Sequence, residues 1–450
     1  MLKRILKSLI ISIIYNSLFA GGNLDTSFGT NGIVISQIGA ESEAKAVTTA
    51  QNGKIIAVGR AWLEQIEHDR CVIARYNLNG SLDLAFGTNG RVIFDINNQD
   101  SVLSNVKIDT NSNIVIAGNL NEEEQTVGFI SRVLSNGAID TSFGQNGIVK
   151  LDSLGITEYS QIESIDVQNN GKIIAIGYEE NEDQEKDTII LRFNINGSLD
   201  NSFGANGIIR PPFQGSQSLG LKIIIQPDNK ILALMRIDQG YSLARYNSDG
   251  TLDTTFGNLG IVTGNQYMNY MNLQTDGKIV LAGRLQNSFV LNRLNNNGTN
   301  DASFTNGLSS VPYLESRSMG MILQNDEKII TKFNYEFGPT WKYKLIRFNQ
   351  NGVLDTSFGN NGIVDSEIGK SRFIYDLAIT QDGKLIICGT SSLPGIEYDH
   401  FMLGRYKTSA EQEVVETYEQ QYKYLPYGKR PSEGKEKEEI EATLKKVKRE

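Results

Sequence analysis

One phrase, written seven times, constrains this chain more than any other feature: GNLDTSFGTNGIV at residue 22, GSLDLAFGTNGRV at 80, GAIDTSFGQNGIV at 137, GSLDNSFGANGII at 197, GTLDTTFGNLGIV at 250, GTNDASFTNGLSSV at 298 and GVLDTSFGNNGIV at 352. Recurrence of this kind means that one small supersecondary unit is stacked on copies of itself. The aspartates of the phrase are 48 to 60 residues apart. The units are then 22–79, 80–136, 137–196, 197–249, 250–297, 298–351 and 352–407, each about 55 residues and too short to form a domain alone. The sixth copy departs most, with Asn300 in place of the leucine and no glycine after the phenylalanine.

Four strands are expected in each unit. In the first these are GIVI at 32–35, KAVTTA at 45–50, KIIAVG at 54–59 and CVIARY at 71–76. Asn52-Gly53, between the second and third, suggests a two-residue type I′ hairpin, as do Asn170-Gly171, Asp276-Gly277 and Asp382-Gly383. Short antiparallel strands repeated radially imply an all-β fold, a seven-bladed β-propeller of four-stranded antiparallel blades. A β-solenoid, the competing architecture, needs fewer residues per coil. The second strand carries small residues such as Ala44, Ala46 and Ala50, which suits the crowded position nearest the axis. The GIV strand then becomes the outermost strand of the preceding blade. By this phasing the N-terminal strand, Ile33 to Ile35, closes the last blade against Phe401 to Tyr406.

An arginine ends the fourth strand of every unit. Six of these precede the next aspartate by eight residues, although unit lengths vary: Arg75 and Asp83, Arg132 and Asp140, Arg192 and Asp200, Arg245 and Asp253, Arg293 and Asp301, Arg347 and Asp355. Such constancy implies a guanidinium and a carboxylate paired across the turn between blades. Arg405 has no aspartate after it and Asp25 no arginine before it, so closure is expected to supply the seventh pair. Sevenfold repetition favours a structural role for these residues over a metal or catalytic one.

The phrase RYNLNGSLDLAFGTNGRV, with QNGKIIAVGR upstream, resembles the delta-60 repeat, an exported bacterial repeat of unknown function classed as a β-propeller module. The resemblance covers nearly all of residues 22–407 and implies a fold, not an activity. The second and third strands also resemble the inner hairpin of NHL-type propellers, which are mostly binding scaffolds.

Unit length varies after the GIV strand and between the third and fourth strands, and both places open on one face of a four-stranded meander. Variable loops gathered on one face mark it as the binding surface. Trp62 and Trp341 fall there and could stack on a sugar ring or a peptide. So do acidic runs, including Glu122, Glu123 and Glu124, which read as a solvated rim with weak calcium binding as the sharper alternative. No other cofactor is expected. Two histidines and two cysteines leave little material for a zinc ribbon, a disulfide scaffold or a His-based triad. No nucleophile elbow, phosphate loop or HExxH occurs, so the chain reads as a non-enzymatic, monomeric interaction scaffold for a surface protein or glycan. The alternative is a propeller hydrolase or lyase acting on polysaccharide, which would need clustered arginines, an acid and a nucleophile near the axis.

Lys3, Arg4 and Lys7 precede an apolar run from Leu9 to Phe19, followed by Ala20, Gly21 and Gly22, the order of a signal peptide over residues 1–20. A secreted, periplasmic or cell-surface location follows, with no membrane span after cleavage. The net charge is −9; without the basic leader and the near-neutral tail, residues 21–407 carry −11, which argues against nucleic acid as a partner. Residues 408–450 form a charged tail expected to be helical or disordered.

Overall fold

Stretches rich in Ile, Val and Leu form strands that follow one another in an antiparallel meander. The first complete sheet runs Glu41–Thr49, Ile55–Leu63, His68–Tyr76 and Arg91–Phe94. In this computed structural model the described residues are 21–409 except 123–124, 182, 212–216, 239, 287, 306, 313–315, 338–339, 367–372 and 393–397. The expected leader at 1–20 and the tail from 410 lie outside them. The same meander recurs along the chain, and a short 3-10 turn at Asp152–Leu154 is the one helical element among the described residues. No helix there is long and apolar enough to cross a membrane. Two successive meanders merge into an eight-stranded sheet, because Tyr159–Val167 pairs in parallel with Gln125–Val133.

The second strand of most sheets is apolar at its central positions because both its faces are covered; in Ile329–Phe337, Thr331, Lys332 and Asn334 interrupt the run. Ile55 and Ala57 pack with Val47, Cys388 and Leu403, whereas Ile56 and Val58 pack with Phe86, Val106 and Ile116. Successive side chains of a strand point to opposite faces, and here each face meets a different neighbouring sheet. Cys71 and Cys388 are both free and buried in separate clusters, and burial pushes the Cys71 thiol up to about 12.

The turn at Asn52-Gly53 differs from the type I′ expectation. Among its residues Gly53 alone has positive φ, at 77°; Ala50 N–H donates to Lys54 O, and Gly53 N–H to Ala50 O. This is a three-residue loop, a type I turn followed by a left-handed residue. The extra residue restores the twist that a bare type I turn would lack. Asn52 contributes its side chain instead, Oδ1 accepting the Lys54 N–H at 3.1 Å. At Asn170-Gly171, Asp276-Gly277 and Asp382-Gly383 likewise only the glycine has positive φ. The two-residue turn with both positions left-handed lies at another Asn-Gly: Asn31 has φ 52° and Gly32 φ 90°, and Thr30 and Ile33 exchange hydrogen bonds of 2.8 and 3.2 Å.

The arginine and aspartate of each repeat meet. Nε lies 2.6 to 2.8 Å from Oδ2 in Arg75–Asp83, Arg132–Asp140, Arg192–Asp200, Arg245–Asp253, Arg293–Asp301, Arg347–Asp355 and Arg405–Asp25. In the Arg347 pair the alignment is that of an ion pair without a hydrogen bond. Each guanidinium also lies 4.3 to 5.1 Å from the centre of a phenylalanine ring, Phe28 to Phe358, buried in the seam. Burying one such side chain contributes roughly 1.5–3 kcal/mol. Each Nη1 donates to a main-chain carbonyl of the following sheet's turn, as Arg132 does to Ile195. The glycine after the phenylalanine adds an N–H bond to the same turn, for example Gly144 to Asn196 O, and in the sixth unit Thr305 N–H substitutes by donating to Asn351 O.

The two ends of the described region are joined by the same parts. Ile33, Val34, Ile35 and Ser36 pair with Gly404, Leu403, Met402 and Phe401, so this strand completes the sheet of Phe373–Ile379, Leu385–Ser392 and Asp399–Tyr406. Each GIV strand likewise belongs to the sheet of the preceding unit, one strand out of phase with the sequence repeat. Burial alone would raise the Asp25 carboxyl, but Ser27, Lys384 and Arg405 outweigh it and hold it at about 2. The inner edges also meet, Val47 N–H donating to Asp376 Oδ2 at 3.0 Å and Thr49 Oγ1 to Ile379 O at 2.8 Å.

At the two-residue turn the fifth unit carries Leu259 instead of asparagine, with φ 52° and 70% of its surface exposed. A left-handed leucine is strained, and asparagine tolerates this region. Leu259→Asn is expected to stabilise the protein by about 1 kcal/mol. Chemical denaturation should show a higher midpoint, and an unchanged or lower one would remove strain from the account of this turn.

Candidate functional site

Polar side chains gather on the innermost strands, where an apolar alternation would have been simplest. The cause is a β-bulge. Register slips between Ala44 and Ala46, Leu103 and Asn105, Ile162 and Ser164, Gly220 and Lys222, Met268 and Tyr270, and Ile374 and Asp376. The extra residues are Lys45, Ser104, Glu163, Leu221, Asn269 and Tyr375, and all line one cavity of about 710 Å³ between the inner strands. A bulge leaves its residue unpaired and re-aims its side chain, here away from the core.

Opposite each bulge the next strand approaches closely. A Cβ on Gly59, Gly118, Gly177, Gly283 or Gly389 would stand 1.8 to 2.1 Å from a carbonyl oxygen of the bulged strand. This explains the glycine that closes IIAVG and its equivalents. Where Met235 replaces it, the glycine moves across the ladder to Gly220, its register partner. In the sheet where Lys332 faces Gly320, the buried lysine chain fills that space and donates to Ile374 O at 2.6 Å, and burial draws its ammonium down to about 8.

From Tyr375 on the cavity wall, three aromatic rings form a row. Trp341 meets Phe373 edge-on at 5.2 Å, and Phe373 lies 5.1 Å from Tyr375. All three are half-buried. The row continues into charge: Lys45 Nζ sits 3.8 Å over the Tyr375 ring and pairs with Glu43. Arg60 then binds Glu43, Asp69 and Glu41 at 2.9, 2.6 and 3.1 Å.

Of the residues singled out from sequence, Trp341 belongs to this row. Trp62 does not; it faces a separate recess of about 320 Å³ with Glu64 and Tyr398. Glu122 ends the strand Ile114–Glu122, and its side chain, with Glu123 and Glu124, lies outside the described residues. Several acids read as a solvated rim carry partners: Arg60 binds Asp69, Arg210 binds Glu179 at 2.6 Å and Lys186 binds Glu180 at 3.2 Å. Among the described residues no group of three or more His, Cys, Asp and Glu side chains could hold a metal ion. Phe373, Tyr375 and Lys45 were missed because the bulge breaks the strand alternation, and the signal was the glycine opposite them.

These sheets, stacked face to face around a polar lumen, define a β-propeller. Residues 50–86, 111–143, 168–203, 226–256, 274–304 and 324–358 match the family described as "Domain of unknown function (DUF5122) beta-propeller", an uncharacterised propeller repeat family. No curated protein matches the chain. Among solved structures it is similar to a streptogramin B lyase (TM-score 0.48, 13% identity, 83% of this chain and 97% of that one). It is also similar to the β-propeller domain of the Trilobed protease from Pyrococcus furiosus (0.44, 13%, 82% and 94%) and to Drosophila Semaphorin 2a (0.46, 8%, 86% and 76%).

Gly177→Val tests the bulge account. Its Cβ would stand 1.8 Å from Gln161 O, and a clash with backbone is not relieved by rotating a side chain. The expected loss is roughly 3 kcal/mol, the upper end for overpacking. A denaturation midpoint indistinguishable from wild type would overturn the account.

Proposed function

We propose that this protein is an exported, seven-bladed propeller that binds a glycan on its loop face and has no catalytic role. The observation that carries the reading is the half-buried row of Trp341, Phe373 and Tyr375, whose last member lines the polar cavity. Rings fixed by packing present flat apolar faces at little entropic cost, which suits stacking against sugar rings. The loops of variable length are expected on the same face, so their sequences can differ without disturbing the paired arginines. Export is favoured by the basic, then apolar, then small order of residues 1–22. A surface protein remains the other kind of partner. The hydrolase or lyase alternative would need arginines converging on the lumen, and the recurring arginines are engaged in the seams between sheets.

Two measurements test this. N-terminal sequencing of the exported protein is expected to begin at about Gly21; an intact leader would refute export by cleavage. The mature protein is expected to retain members of a glycan array, and Phe373→Ala to weaken that binding about tenfold, in line with roughly 1.4 kcal/mol for a lost aromatic contact. Absence of any glycan signal, or an unaffected Phe373→Ala, would refute the glycan reading.

A further inference from the structure

Lys45, Lys107, Glu163, Lys222, Arg236 and Asp376 line the cavity, and most of the acids on it and next to it are engaged. Asp166 pairs with Lys107 at 3.3 Å and accepts Ile225 N–H at 2.9 Å. Asp376 accepts Val47 N–H at 3.0 Å, and Glu43 holds Lys45 and Arg60. Glu163 stays in contact with water on the wall, and Arg236 and Lys186 are the charges that lower its carboxyl against a larger upward push from burial. Lys222 is different. It is half-buried, lines the same cavity as Lys107, and its side chain has no hydrogen bond or ion pair to a described residue, with no carboxylate within 4.0 Å.

We propose that Lys222, with Lys107 beside it, forms an oxyanion site inside the propeller lumen, taking the phosphate or carboxylate group of a small ligand. A half-buried ammonium without a counterion is only partly compensated by water, and an anion in the lumen offsets the remainder. Burial and the Lys107 charge hold the Lys222 ammonium below the ordinary lysine range, while Asp376 and Asp166 pull the other way without reaching it. The cavity, about 710 Å³, has room for a ligand of this size, and four cations, Lys45, Lys107, Lys222 and Arg236, line it against two acids, Glu163 and Asp376. Lys222 also follows the bulge directly, so the slip that frees Leu221 sets its side chain on the lumen. This site does not depend on glycan stacking at the aromatic row.

The test is isothermal titration calorimetry of the mature full-length protein with inorganic phosphate and, separately, with galacturonate. Saturable binding of at least one is expected, weakened tenfold or more in Lys222→Met and largely kept in Lys222→Arg. Binding of phosphate alone identifies a free-phosphate site, and binding of galacturonate alone the acidic group of a sugar. Thermal unfolding supplies a second readout. Lys222→Met alone is expected to raise the midpoint, as removal of an uncompensated charge would, but added anion should raise it further only in wild type. No saturable binding of either anion, or binding and anion-dependent stabilisation unchanged in Lys222→Met, would overturn the proposal.

Discussion

Everything in this molecule hangs on one contact, the arginine at the end of an outgoing strand bound to an aspartate eight residues later. Sheets stacked on apolar faces attract one another but fix no register, because dispersion and hydrophobic burial are non-directional. The guanidinium supplies direction. It holds the aspartate through Nε, lies over the phenylalanine that fills the seam, and reaches with Nη1 into the next sheet's turn. The aspartate is bound from its other side by the hydroxyl and N–H of a serine or threonine in most repeats, as in Ser142 to Asp140. Breaking such a buried pair typically costs about 3–5 kcal/mol, because the remaining charge is stranded.

Closure follows from the same contact. Arg405 binds Asp25 where the first and last described sheets meet and donates to Leu78 O, while Arg347 donates to Thr408 O and Gly359 N–H to Gly21 O. The seam that closes the described region is therefore built from the same parts as the others. Two strand edges that would otherwise be exposed are paired.

Much of this was legible in the sequence because the seam is made by local spacing. An interval of eight residues from Arg75 to Asp83 survives changes in unit length, and the small Ala44 and Ala46 mark the crowded inner strand. The turn at Asn52-Gly53 was less legible, since Asn-Gly is compatible with both a type I′ turn and a type I turn with a left-handed third residue. Only the extra residue between Ala50 and Lys54, a matter of pairing and not of composition, separates them. The lumen was hidden for a related reason. A bulge shifts the strand's phase by one residue, so Tyr375 and Asp376, adjacent in sequence, both line the cavity, where strict alternation would send one of them into the core.

That slip divides the labour within each repeat. The glycines opposite the bulge are nearly uniform, since backbone fills the space where a side chain would be, while the bulged positions hold lysine, serine, glutamate, leucine, asparagine and tyrosine. A fold in which every unit had to pack its inner strand by alternation could not tolerate such variety. Because the bulged side chain faces the lumen, its identity is released from packing and can be set by a ligand. The repeat thus keeps its seams constant through Arg, Asp and Phe, and leaves the lumen and the variable loops as the regions where chemistry differs from one sheet to the next.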